Sequence, residues 1–129
     1  MIDAKVIDHI ARLAHEANEA YCRSIGDPIS TWDEASDGIR GSARDGVFAV
    51  LRGHVNSPGD AHRNWLSFKA VDGWSYGPVK DEAKKEHPCF LPFDVLPPAQ
   101  QFKDVLFLTV VRGAARVAGI SIPLASLSL

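Results

Sequence analysis

The chain has 129 residues, of which 14 are basic, 16 are acidic and 46% are hydrophobic, so it holds enough material for one domain with its own core. Because no basic excess exists to displace counterions, we expect no nucleic-acid partner. The N-terminal segment lacks the uninterrupted apolar run of a signal peptide, and no apolar run is long enough to cross a bilayer. Composition therefore predicts a cytoplasmic protein without a membrane partner.

The first predicted helix is the most regular. Apolar residues recur at three- and four-residue steps over residues 6–25, which indicates one amphipathic helix. Asp3 is suited to cap its start, and Gly26 is suited to end it. The same spacing predicts that His15 lies on the opposite, solvated face.

Two further helices are predicted in the first two thirds of the chain. A turn-rich loop anchored by Trp32 occupies residues 27–41, and Ser42 then begins a second helix that ends at Gly53. Residues 54–60 have the composition of a linker. Asp60 is predicted to cap the third helix.

The last third combines a long irregular segment with a fourth helix. Residues 73–97 carry aromatic side chains, lysines and prolines without a helical period, and Pro98 suits the first position of a helix that runs to Gly113. The tail, residues 114–129, is strand-like from Val117 onwards. It predicts either addition to a partner's sheet edge, as in a homo-oligomer, or packing on its own domain.

The sequence contains an internal repeat. An Ala-His pair recurs at His15 and His62, and a basic-acidic pair recurs at 44–45 and 103–104 in the same order. The second copy carries about twelve additional residues, which fall in the irregular segment. We therefore predict two mostly helical helix–loop–helix halves that pack around a pseudo-two-fold axis. In one domain over 1–129, these are a first half 1–53, a linker 54–60, a second half 61–113 and a tail 114–129.

The irregular segment carries a recognisable motif. GWSYGPVKDEAKKEHPCFLPFDVLP and the Lys-Asp pair after it resemble the signature of the RyR domain, the repeat found in ryanodine receptors and in small bacterial and phage proteins. Phe93 stands where tyrosine is more usual, and the resemblance covers about residues 5–113. The matching residues are Gly73, Trp74, Tyr76, Gly77, Lys80, Asp81, Lys85, His87, Pro88, Pro92, Phe93, Asp94, Leu96, Pro97, Lys103 and Asp104.

This resemblance implies a fold that is mainly α with minor β. The two pseudosymmetric halves would carry long ordered loops and short strand pieces. It implies no established catalytic activity, and it associates such repeats with nucleotide-like ligands and with protein contacts inside large receptors.

The irregular segment also holds the candidate ligand site. Aromatic faces beside clustered cations supply what a nucleotide needs, a stacking platform for the base and positive charge for phosphate. The alternative is that the rings anchor the loop to the core and the lysines are solvated. The ligand-binding residues that we predict are Trp74, Tyr76, Lys80, Lys84, Lys85, His87, Arg44 and His15.

Several polar residues favour structural roles. His87 is expected to bond the loop backbone, with proton transfer as the alternative. Because His15 and His62 are repeat partners, a structural task is favoured for both. Asp45 and Asp104 are expected at helix starts, where the helix dipole favours an acid.

No sequence pattern points to catalysis or to a cofactor. No nucleophile elbow, Walker loop or zincin helix is present, His87 and Cys89 lack a second pair of metal ligands, and Cys22 and Cys89 are expected to be free thiols. The sequence favours a non-catalytic module that senses or sequesters a nucleotide or nucleotide-derived ligand. The alternative is an interaction or assembly module with no small ligand.

Overall fold

The fold is a four-helix arrangement with one long structured loop. The computed structural model describes residues 2–123. Its elements are α1 (Ala4–Ser24), α2 (Asp37–Leu51), α3 (Pro58–Val71), β1 (Ser75–Tyr76), β2 (Glu86–His87), a 3-10 helix (Phe93–Val95) and α4 (Pro98–Val117). The mainly α class with minor β is confirmed, and none of the helices described is long and apolar enough to cross a bilayer.

Capping residues explain where the helices begin. Asp3 caps α1 as predicted, accepting from the backbone N–H of Lys5. The predicted start of the second helix at Ser42 is wrong, because Ser36 caps α2 and accepts from the N–H of Ile39. A local cap outweighs the glycines in the first turns of this helix.

The third helix also begins earlier than predicted. Ser57 caps α3 and accepts from the N–H of Asp60, whose carboxylate accepts in turn from the N–H of Asn56. Asp60 is therefore not the cap but the third residue of the helix, and its carboxylate returns a hydrogen bond to the backbone that precedes the helix. Residues 58–60, which we assigned to a linker, belong to the helix.

The core lies where α1, α2 and α4 meet. Ile10 and Ala14 of α1 pack with Val47 and Val50 of α2 and with Val111 of α4. Trp32 is buried against the same cluster, as expected for an anchor of the first loop. Burial of these side chains holds the two halves together, because each half exposes an apolar face that only the other half covers.

Gly46 permits the close approach of α2 to α4. A Cβ atom at this position would lie 2.9 Å from the Cζ atom of Phe107, closer than real Cβ contacts come. The glycine that reduces helix propensity inside α2 thus makes room for an aromatic ring of α4.

The two halves differ chiefly in their loops. The first loop, residues 25–36, is less than half as long as the second, residues 72–97. Within the second loop β1 and β2 pair in parallel, with Ser75 opposite Glu86 and Tyr76 opposite His87. The additional residues predicted from the repeat are thus found in this loop, next to the helix pair α3 and α4.

The tail differs from the strand that we expected. Helix α4 continues through Gly113 to Val117, and a positive φ of 75° occurs only at Gly119. Ile120 and Ile122 then pack against the chain's own core. The strand prediction is therefore wrong over residues 117–123, while residues 124–129 lie outside the described part of the chain.

Candidate functional site

A cleft of about 240 Å³ lies between the four helices and the 72–97 loop. Its walls are apolar on the side of α2 and more polar on the side of the loop. Among the lining residues are His15, Ala43, Gly46, His62, Trp65, Lys69, Trp74, Lys80, His87, Asp104 and Phe107.

Lys69 is the most unusual residue of the cleft. It lies in the last turn of α3, only 6% of it is exposed, and its ammonium stands 5.0 Å from the centre of the Trp74 ring. No residue among 2–123 accepts a hydrogen bond from its Nζ atom. Burial lowers the pKa of Lys69, opposed in part by the nearby Asp72 carboxylate.

A hydrogen bond from the indole nitrogen fixes the position of the Trp74 ring. Its Nε1–H donates to Asp72 at 3.3 Å, and Asp72 also receives Lys85, whose ammonium bonds both the carboxylate and the backbone oxygen. The hydrogen bond from Lys85 lowers the pKa of Asp72. Lys85 therefore fixes the ring that lies against Lys69.

His87 presents one nitrogen to the loop and one to the cleft. Its Nδ1 atom accepts from the backbone N–H of Cys89 at 2.9 Å, which confirms the predicted bond to the loop backbone. Burial, assisted by the nearby cations Lys80, Lys103 and Lys69, lowers the pKa of His87 to about 4. The imidazole is therefore neutral at pH 7 and carries its proton on Nε2, which has no acceptor among the described residues.

His15 and His62 fix the two loops at equivalent positions. The Nε2 atom of His15 donates to the carbonyl of Ser30, and that of His62 donates to the carbonyl of Leu91, both at 2.7 Å. The expectation that His15 faces solvent is wrong, because the first loop folds over it and leaves it 8% exposed. Both residues have the structural task that the repeat suggested, and both also line the cleft.

Asp104 places a carboxyl group in the same cleft. It lies in the second turn of α4, so the expectation that Asp104 and Asp45 stand at helix starts is wrong, since both helices begin several residues earlier. One carboxyl oxygen of Asp104 is 3.6 Å from Nδ1 of His62. Burial raises the pKa of Asp104 to about 7, partly offset by the adjacent Lys103.

Next to Asp104, polar side chains that line the cleft are hydrogen-bonded to one another and to Asp27. Lys103 donates to Asp27 at 3.0 Å, and Gln100 bonds both Asp27 and the Cys89 thiol. Burial raises the pKa values of the Cys22 and Cys89 thiols, which are free in this structure. Lys103 is thus neutralised by its own partner and is not available to a ligand without breaking that pair.

The cleft brings together four of the eight predicted ligand-binding residues: Trp74, Lys80, His87 and His15.

The other four predicted residues lie away from the cleft lining. Tyr76 is 52% exposed, Lys84 is exposed, and Lys85 is paired with Asp72. Arg44 bonds Asp8 at 2.8 Å and lies over the ring of Trp32. Tyr76 and Trp74 do not form a common platform, because β1 is only two residues long and Trp74 precedes it.

Sequence reasoning missed Lys69, Trp65 and Asp104. Trp65 and Lys69 are four residues apart on one predicted helix, which places them on the same face. This spacing is the sequence signal that could have indicated that they act together. No sequence signal distinguishes Asp104 from an ordinary solvated acid, since its burial depends on how α4 packs against α3.

The cleft offers no set of metal ligands. Within residues 2–123, no three histidine, cysteine, aspartate or glutamate side chains are grouped closely enough to hold an ion.

A small helical module with a cleft lined by aromatic rings and cations is the class of protein that this geometry defines. The family model of the RyR domain matches residues 57–108, which run from the cap of α3 through most of α4. Over this segment the chain is similar to the RyR domain family. No solved structure matches the chain.

Proposed function

We propose that this protein is a non-catalytic module that binds a nucleotide or a nucleotide-derived anion in the cleft. The observation that carries the proposal is Lys69, a largely buried lysine that lines the cleft and whose ammonium has no hydrogen-bond acceptor among residues 2–123. Removing water from a charge costs free energy, and in this structure the Trp74 ring face and the nearby Asp72 carboxylate offset only part of that cost. A phosphate oxygen is the partner that this ammonium lacks.

The neighbours of Lys69 support a phosphate at this end of the cleft. Lys80 is exposed beside it, and the neutral His87 offers an Nε2–H donor without adding charge. Two ammonium groups and one neutral donor suit a phosphate group, whose oxygens accept several hydrogen bonds.

The remainder of the cleft suits a flat, partly apolar group. Trp65 stacks on His62 with ring centres 5.5 Å apart, and Phe107 forms the opposite wall near Gly46. The volume of about 240 Å³ is somewhat below the roughly 300–1,000 Å³ of sites for drug-sized ligands. We infer that a base or ribose-sized portion enters and that the phosphates stay near the exposed Lys80.

Binding without turnover is supported by the state of the reactive groups. Both thiols are held protonated by burial, and neither contacts a general base. A cytoplasmic protein with these properties would sense or sequester its ligand.

Thermal shift and calorimetric titration with nucleoside mono- and diphosphates, ADP-ribose and inorganic pyrophosphate test the proposal. A ligand that prefers the folded chain must raise the melting temperature at roughly millimolar concentration. Lys69→Met, which removes the ammonium group and keeps most of the apolar side chain, should weaken binding by at least about tenfold.

Lys84→Met is the control, because Lys84 is an exposed lysine of the 72–97 loop outside the cleft lining. It should bind like the unmodified chain. The proposal fails if none of these compounds binds, or if Lys69→Met and Lys84→Met weaken binding equally.

A further inference from the structure

The Asp104 carboxyl group is a largely buried acceptor to which no described residue donates a hydrogen bond. Its side chain is 17% exposed, and its described polar contact is Nδ1 of His62 at 3.6 Å. Because His62 already donates its Nε2–H to Leu91, the neutral imidazole turns a bare Nδ1 towards Asp104. Burial lowers the pKa of His62, so this nitrogen is unprotonated at pH 7 and above.

In the other half of the repeat, the equivalent carboxylate accepts a hydrogen bond from a side chain. Asp45, the counterpart of Asp104, receives the side-chain N–H of Asn64 at 3.0 Å. The residue on α1 that corresponds to Asn64, by the same spacing that relates His15 to His62, is Ala17. A methyl group cannot donate a hydrogen bond, so Asp104 lacks the side-chain donor that Asp45 has.

We infer that Asp104 is the specificity-determining residue of the cleft and accepts two adjacent N–H donors from a guanine-type base. The inference rests on the proposed function, since it assigns the base end of a ligand whose phosphate binds near Lys69. An ionised carboxylate only accepts hydrogen bonds and has two oxygens to do so. Guanine offers N1–H and N2–H₂ side by side, whereas adenine pairs one donor with an acceptor and hypoxanthine lacks the N2 amino group.

The geometry of the cleft agrees with this assignment. Asp104 and Lys69 line the same cavity, with the Trp65 ring on the helix that carries Lys69. Titratable groups that share the cleft with Asp104 are His15, His62, Lys69, Lys80, Glu82, His87, Cys89 and Lys103, and α2 contributes none to the lining. Lys103 is held by Asp27, so it does not compete for the carboxylate.

Calorimetric titration of the whole chain with GMP, IMP and AMP at pH 8.5 tests the inference, because Asp104 is ionised at that pH. GMP should bind about tenfold or more tightly than IMP and AMP, since each of them leaves a carboxylate oxygen unpaired. In Asp104→Asn the preference for GMP should disappear, while affinity for IMP changes by less than about threefold.

Asp45→Asn is the matched control: it makes the same change at the equivalent carboxylate outside the cleft lining, and it should retain the preference. Far-UV circular dichroism of each variant confirms that it is folded. Nucleotide binding that depends on Lys69 but shows no preference for GMP, or a preference that survives Asp104→Asn, overturns this inference and leaves the proposed function standing. Absence of all nucleotide binding overturns both.

Discussion

His15 and His62 make the same hydrogen bond in the two halves of the molecule, each donating Nε2–H to a loop carbonyl at 2.7 Å. In each loop the accepting residue stands two positions before an aromatic side chain, Trp32 in the first and Phe93 in the second. Each histidine also lies against that ring, with centre distances of 5.7 Å and 6.1 Å. The equivalence shows that the repeat conserves a way of fastening a loop to a helix.

Replacement of either histidine should therefore release a loop. We expect His62→Ala to lower the free energy of unfolding by about 2–4 kcal/mol, because it removes a hydrogen bond, leaves the Leu91 carbonyl unpaired and opens a cavity beside Trp65. Urea denaturation measures the change. His54→Ala, at an exposed histidine, should change the free energy of unfolding by less than about 0.5 kcal/mol. Equal effects of the two substitutions would contradict this role.

Asp104→Asn should stabilise the protein at alkaline pH. The pKa of Asp104 is about 7 in the folded chain against an ordinary value of 3.8, so between these values the folded state holds a proton that the unfolded state has lost. Stability is therefore lost as pH rises from about 4 to about 7, by up to about 4 kcal/mol. Calorimetric melting at pH 8 should show the variant at least about 5 °C more stable, with no difference near pH 4. A variant that melts below the unmodified chain at pH 8 would refute the expectation.

His87 should titrate far below an ordinary histidine. Its pKa is about 4 in the folded chain against an ordinary value of 6.5, so the unfolded chain takes up a proton between these values while the folded chain does not. Stability from this group therefore falls as pH decreases from 6.5 to 4, opposite in sign to the effect of Asp104. Proton–carbon NMR of the His87 ring measures the midpoint directly. A midpoint above about 6 would show that the imidazole is not desolvated as described.

Gly46 and Gly113 should respond oppositely to alanine. Both lie inside helices, where alanine favours the helix by about 1 kcal/mol. At Gly113 no atom lies within 4 Å of the added Cβ, so Gly113→Ala should stabilise the chain by about that amount. At Gly46 the Cβ meets Phe107, so Gly46→Ala should destabilise by about 1 kcal/mol net of the helix gain and should also weaken ligand binding. The melting temperatures of the two variants test this prediction, and a shift of the same sign in both would contradict it.

Lys69→Met should leave the fold intact or stabilise it. The ammonium loses most of its water without gaining a hydrogen-bond acceptor among residues 2–123, and methionine fills a similar volume without charge. We expect the free energy of unfolding at pH 7 to rise by about 1 kcal/mol or more, while ligand affinity falls. A loss of both stability and binding would instead indicate that Lys69 has a structural partner.

The sequence predicted those parts of the fold that depend on short-range order. The apolar period and the Asp3 cap located α1, and Pro98 located the start of α4. The boundaries of α2 and α3 were missed because two capping residues compete for each start, Ser36 with Ser42 and Ser57 with Asp60. Only the backbone N–H that the side chain accepts distinguishes them. Trp74, Lys80 and His87 were found because the loop motif holds them close together in sequence.

By itself the sequence determined that this chain has two related helical halves, a structured loop in the second half and the motif that resembles the RyR domain. Helical period, caps and motif spacing act over a few residues, so they can be recognised without coordinates. Only the tertiary structure decided that the Lys69 side chain is largely removed from solvent next to the Trp74 ring, and that Asp104 lies beside His62. A charge becomes unusual only when residues remote in sequence exclude solvent around it, and no local pattern records that exclusion.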